Sequence, residues 1–213
     1  TMLFLRWLDP VLAERAEMVP DPTFSIDIIS TVDREALKIK LRAFGVDFSR
    51  PRLILCVRNS TCIDEAVRYF KARGFQAVSV TFPNALSDVD LSREGFTPPE
   101  WASVFGLMDA GISERMHACI SCILNNTPFI GIDRYKLKQG DSKIEHLMRF
   151  FGIDRFYHNT EEGRPDTLQA VCGQVAEGNW PVDGIAEKRT ELRKRSDEFA
   201  SKMTKISGPH SER

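Results

Sequence analysis

Apolar positions recur along this chain in two alternating rhythms. In DREALKIKLRAF, residues 33 to 44, Leu37, Leu41 and Phe44 fall at helical spacing behind Asp33, a residue type that caps helix N-termini. The next run, RLILCVRN at 52–59, is too short and too continuously apolar for an exposed helix, so it predicts a strand covered on both faces. Ser60 and Thr61 then offer caps for a helix with Ile63, Ala66, Val67 and Phe70 inward, ending at Gly74. AVSVTF (77–82) predicts a second strand, stopped by Pro83 and Asn84, and a polar, acidic loop follows as far as Gly95.

The alternation continues. A helix opens at Pro98 and runs through PPEWASVFGLMDA, with Trp101, Phe105 and Met108 as its inner stripe. A short strand at Ala110–Ser113, a helix ERMHACISCILNN and a strand PFIGID (128–133) come next. SKIEHLMRFFG (142–152), RFYH (155–158) and a helix over 165–176 complete the series, which is that of a doubly wound α/β fold with a mostly parallel, Rossmann-like sheet. GNWPVDG (178–184) breaks the pattern before one long C-terminal helix at 185–206, whose interleaved charges suit a solvated face. The expected division is an amphipathic N-terminal helix or link over 1–22, a ligand-binding domain over 23–178, the terminal helix over 179–206 and a disordered tail over 207–213.

Composition narrows the function classes. The 213 residues are 42% hydrophobic and 28% charged with a formal charge of −1, so a polyanion such as nucleic acid is a poor partner. No apolar run approaches the roughly 20 residues a bilayer requires, and Arg6 and Asp9 interrupt the opening stretch, so a signal peptide is not expected. Five cysteines, an odd number set inside apolar patterns, read as reduced thiols in a cytoplasmic protein. Cys119 and Cys122 match the CxxC spacing, but a turn inside a helix beside Ile120 and Ile123 they read as core. No metal site, dinucleotide fingerprint, Walker A loop or GxSxG elbow is present.

Ligands of open α/β sheets bind outside the carboxyl ends of the strands, where helix N-termini present unpaired N–H groups. The residues just after the strands are therefore the candidates. They are Arg58 and Asn59 with Ser60; Pro83 and Asn84; Ser113 to His117; and Asp133 to Tyr135 with the loop to Lys143. Arg58, ending an apolar strand, must leave the core or meet an anion, the plainer alternative being an ion pair with a nearby loop carboxylate. Met116, Ile120, Ile123 and Leu124 define the buried stripe of their helix, which sets Arg115 and His117 about 100° to either side of Met116. Both can serve one ligand only if the turn is irregular and the helix starts at or after Arg115. Otherwise Arg115 is a surface ion pair and His117 a hydrogen-bonded helix end.

ISERMHACISCILNNTPFIGID (112–133), with Pro98-Pro99-Glu100-Trp101 before it and Lys143 after it, resembles the C-terminal half of the polysaccharide pyruvyl transferases. Asp21-Pro22-Thr23-Phe24 and the strand ending Cys56-Val57-Arg58 follow the same order, and the resemblance spans roughly residues 20 to 155. It implies one half of a GT-B-like fold and transfer of the enolpyruvyl carbons of phosphoenolpyruvate to sugar hydroxyls of a surface or exopolysaccharide, as a ketal. It also implies that Arg115 and His117 are the donor-binding and acid/base pair. Arg58 becomes a second anion ligand, Lys143 a donor-side lysine displaced by the insertion KLKQGD, and Ser113 and Asn59 neighbouring substrate ligands. No cofactor is implied beyond the donor itself. The implied partners are a saccharide acceptor, free or lipid-linked, and an N-terminal domain missing from this shorter chain, without which the chain is expected to be inactive. Two rivals are a nucleotide-sugar-binding domain of a GT-B glycosyltransferase, with Glu161 or Glu162 on the ribose, and a non-catalytic α/β assembly domain.

Overall fold

A computed structural model describes residues 21–24, 29–134, 142–160 and 165–206. Six strands form one all-parallel sheet in the order β3-β2-β1-β4-β5-β6. They are β1 (Arg52–Cys56), β2 (Gln76–Ser79), β3 (Val89–Asp90), β4 (Ala110–Ser113), β5 (Phe129–Asp133) and β6 (Tyr157–Asn159). The helices are α1 (Arg34–Ala43), α2 (Thr61–Lys71), α3 (Pro98–Phe105), α4 (Met116–Asn125), α5 (Lys143–Phe150), α6 (Pro165–Ala176) and α7 (Val182–Ile206). The order of the strands reverses between β1 and β4, which makes that gap the topological switch point.

The fold is legible in its core. Leu53, Leu55, Val78, Ala110, Phe129 and Ile132 are fully buried, as continuous apolar strands in a doubly covered parallel sheet must be. On one side α2 packs against α6; on the other α1, α3, α4 and α5 succeed one another. Asp33 caps α1 as expected, its carboxylate accepting from the backbone of Glu35 and Ala36. Thr97 and Glu100 close a reciprocal capping box on α3, and Ser142 caps α5. Residues 27–188 form one compact unit; residues 1–26 with 189–213 form another, whose described parts are a short turn at Pro22–Phe24 and the later part of α7. The expected helix over the first residues and the tail after 206 lie outside the described residues.

Several expectations shift. The first two strands stop at Cys56 and Ser79, earlier than their apolar runs. α3 ends at Phe105, with Gly106 as its C-cap, and its inner face is Ala102 to Phe105; Trp101 is half-exposed and stacks on Phe96 instead, ring centroids 4.8 Å apart. Met116 and Leu124 are half-exposed too, because α4 is buried all round over Ala118–Ile123 rather than along one stripe. The acidic loop hides β3: Asp88 accepts from Ala77 N and from Lys71 at 2.8 and 2.7 Å, and Ser79 donates to Asp90 at 2.9 Å. Asp88 and Asp90 therefore tie an edge strand to the sheet within what reads as a loop. α7 begins three residues before its expected start.

Gly131 lets α5 lie close on β5. A Cβ there would overlap Met148 Sδ and come within 2.8 Å of Ile144 Cγ2, both on the buried face of α5. Gly131→Ala should therefore cost about 1–3 kcal/mol of stability, read as a lower urea midpoint at unchanged slope. An unchanged midpoint would mean that α5 can shift freely.

Candidate functional site

At the switch point the parallel ladder runs one residue beyond the strands. Glu114 N donates to Cys56 O at 3.1 Å, so the loops leaving β1 and β4 start side by side. Ser113, buried at the end of β4, then shapes its own loop: its Oγ accepts from Arg115 N and donates to Arg115 O, both at 3.0 Å. Arg115 is consequently extended (φ −117°, ψ 124°) and α4 starts only at Met116. The irregular turn required for Arg115 and His117 to serve one ligand is present. Arg115 leaves the helix spiral, and His117 sits exposed in the first turn, its carbonyl accepting from Ser121 Oγ at 2.9 Å.

Two guanidinium groups meet here on one carboxylate, and a third lies nearby over an aromatic ring. Glu114, with its side chain only 6% exposed, binds Arg58 Nε at 2.7 Å and Arg134 Nε at 2.6 Å. Arg134 also donates to Arg58 O and, at 3.4 Å, to Asn59 O, tying the loop after β1 to the end of β5. Arg58 thus takes the ion pair that its position allowed, while its side chain stays 55% exposed. Arg115 pairs with no carboxylate among the described residues; its guanidinium carbon lies over the Phe82 ring, 4.7 Å from the centroid, with that of Arg58 5.6 Å from the same point.

The helices flanking this point are uncapped. Asp33, Thr97 and Ser142 cap α1, α3 and α5, but neither Ser60 nor Arg115 makes a side-chain cap bond to α2 or α4. The first-turn N–H groups of both helices that follow the switch-point strands therefore lack a side-chain acceptor, and the positive ends of both helix dipoles stand at the same edge.

Arg58, Asn59, Ser113, Arg115 and His117 are thus brought to one pair of adjacent loops. Lys143 is exposed at the start of α5, after β5, and the segment 135–141 that leads to it lies outside the described residues, as do Glu161 and Glu162. Glu114 and Arg134 stand among the candidates that follow the strands, but the sequence assigns them no role, and Phe82 is not a candidate at all. The first two had a signal in their opposite charges at neighbouring strand ends. Phe82 falls at the end of the expected strand 77–82. Cys119 and Cys122 are fully buried, and burial pushes the Cys119 thiol up to about 12, so neither suits redox chemistry. Two hollows elsewhere, of about 690 Å³ beside Arg193 and Asp197 and about 540 Å³ beside Gln174 and Asn179, are not formed by residues that follow a strand.

A second polar cluster closes the edge at β5 and β6. Tyr157 donates its hydroxyl to Asp133 Oδ2 at 3.2 Å. Burial raises the Asp133 carboxyl above its ordinary value, against the lowering effect of Tyr157 and with help from the negative charge of Glu145. A carboxyl raised in the folded state favours folding while protonated, so its contribution is lost as pH rises through the shifted value. Asp133→Asn should therefore be more stable than the parent at pH 7, with the advantage shrinking as pH falls toward about 4, the ordinary carboxyl range. Urea unfolding at the two pH values checks this; a variant less stable at pH 7 would contradict it.

The chain matches the model of one protein family, polysaccharide pyruvyl transferase, over residues 9–135. No curated protein matches it. Among solved structures it is similar to one titled "Crystal Structure Analysis of the Glycotransferase of kitacinnamycin", with 14% identity and a TM-score of 0.50. That match covers 77% of this chain and 44% of the other, so the chain spans less than half the length of that neighbour; the likeness is one of fold. The family match takes in most of the switch-point edge, from β1 through Arg134, and covers more than half of the chain, which therefore belongs to the polysaccharide pyruvyl transferase family.

Proposed function

We propose that this chain is the donor-side domain of an enzyme that transfers a pyruvyl group from phosphoenolpyruvate to sugar hydroxyls of a surface or exopolysaccharide. The observation that carries the reading is Arg115: a guanidinium with no carboxylate partner among the described residues, at the uncapped start of α4, two residues from His117. A small dianion suits that arrangement, because each charge-assisted hydrogen bond contributes about 1.5–3 kcal/mol and the helix ends add attraction of the same sign.

In this reading Arg115 holds the phosphate or carboxylate of the donor, and Arg58, braced by Glu114, adds positive charge at its side. Asn59 contributes a hydrogen bond from the same loop. Ser113 acts by shaping the turn, since its hydroxyl is committed to the Arg115 backbone. Lys143 serves the donor from α5. His117 gives a proton to the methylene carbon of the enol, leaving a cationic centre at the adjacent carbon. One sugar hydroxyl attacks that carbon, and the proton it sheds restores His117. A second hydroxyl of the same sugar displaces phosphate, which departs with the second proton, and the ketal is complete. A positioned acid contributes about 10²–10⁴-fold to such a step, and no electron transfer or further cofactor enters the balance. The acceptor, free or lipid-linked, and a facing N-terminal domain complete the proposed enzyme.

Titration calorimetry tests the donor site. Phosphoenolpyruvate should bind the chain saturably, and Arg115→Ala, at an exposed extended position, should weaken binding about tenfold or more without lowering Tm. Turnover should appear only once an N-terminal domain is restored. Stabilisation by UDP or GDP without a response to phosphoenolpyruvate would favour the nucleotide-sugar reading. Indifference to every ligand, unchanged by Arg115→Ala and His117→Ala, would leave an assembly domain.

A further inference from the structure

We propose that Phe82 is a positioning residue of the donor site: its ring aims the Arg115 guanidinium at the incoming anion while leaving its charge unneutralised. The proposal rests on the reading of Arg115 given above.

The chain goes to some trouble to put the ring there. β2 ends at Ser79, and Val80 N still bonds to Leu55 O at 2.8 Å, extending the ladder toward β1. Thr81 then turns into the left-handed region with φ +67°, uncommon for a β-branched residue, and Phe82 N closes back on Val80 O at 2.7 Å. The side chain of Thr81 is held as well, by Cys56 Sγ to Oγ1 at 3.4 Å. Such a backbone persists only where its surroundings over-determine it. Its consequence here is that Phe82, half-buried, stands beside the loops of β1 and β4, with the guanidinium carbons of Arg115 and Arg58 within 4.7 and 5.6 Å of its centre.

The two arginines need the ring differently. Arg58 is already fixed by Glu114 at 2.7 Å. Arg115 has no such partner among the described residues, and a long side chain at an exposed N-cap would otherwise wander among rotamers. A carboxylate could hold it only by cancelling the charge an anion requires. An aromatic face holds it by attraction to the ring quadrupole and leaves the in-plane N–H donors of the guanidinium for an oxyanion.

The test compares Phe82→Leu and Phe82→Tyr with the parent chain in phosphoenolpyruvate titrations and in the NMR resonance of Arg115 Nε–Hε. Phe82→Leu should raise Kd about fivefold, with Tm unchanged and the ring-current shift of the Arg115 resonance lost. Phe82→Tyr, which keeps the ring, should retain both the affinity and the shifted resonance. Unaltered affinity in Phe82→Leu, or an affinity in Phe82→Tyr as weak as in Phe82→Leu, would overturn the role of Phe82 and leave the donor site standing. Failure of the parent chain to bind phosphoenolpyruvate would overturn both.

Discussion

The pairing of β1 with β4 is the constraint on which the rest of the edge depends. These strands are far apart in sequence, yet Leu53 to Cys56 register against Ala110 to Ser113, and the bond from Glu114 N to Cys56 O carries the register into the loops. Every residue in this register is buried. Both faces of the sheet are covered, and Arg52 and Arg58 bound the apolar run of β1, so sliding that strand along its axis would draw a charge into the core; hydrophobic burial thereby sets the relative height of the two loops. Arg58 and Glu114 can meet at 2.7 Å only because that height is set deep in the core.

Electrostatics then decides what three arginines at one edge can do. Glu114, nearly buried, is shared by Arg58 and Arg134. A carboxylate in that position has its desolvation offset only by close partners, and removing one would leave charge exposed to a poor solvent. The shared pairing leaves the triad with a net positive charge. Arg115 adds a second that no carboxylate among the described residues cancels. Arg58, Arg115, Arg134 and Glu114 together therefore carry net positive charge in a chain whose formal charge is −1, which composition alone could not reveal.

The architecture was legible because burial writes itself into residue type. RLILC and FIGID can only be strands buried on both faces, and Asp33 and Pro98 announce helix starts. β3 was hidden because it is two residues long, and the carboxylates of Asp88 and Asp90 that tie it to the sheet look, in sequence, like solvent-facing polarity. The site was half legible for a related reason. Arg58, Ser113, Arg115 and His117 could be named from their places after strands. What fixes their geometry could not: Ser113 folding back onto the Arg115 backbone and Thr81 at positive φ are tertiary arrangements with no local signature. Phe82 looked like the last residue of a strand because strand propensity favours aromatics, and only the turn at Thr81 takes it out of the sheet.

Four locally unfavourable features of this fold share one edge. Two helices without side-chain caps, a β-branched residue at positive φ and an arginine with no carboxylate partner among the described residues all stand where β1, β2 and β4 end. The opposite ends of the same strands show ordinary satisfaction: Arg52 binds Asp109 at 2.7 Å, and Gln76 bonds the backbone of Gly45 and Asp47. Uncapped N–H groups and a guanidinium that no carboxylate among the described residues cancels have the same electrostatic sign, so what they attract together is negative charge.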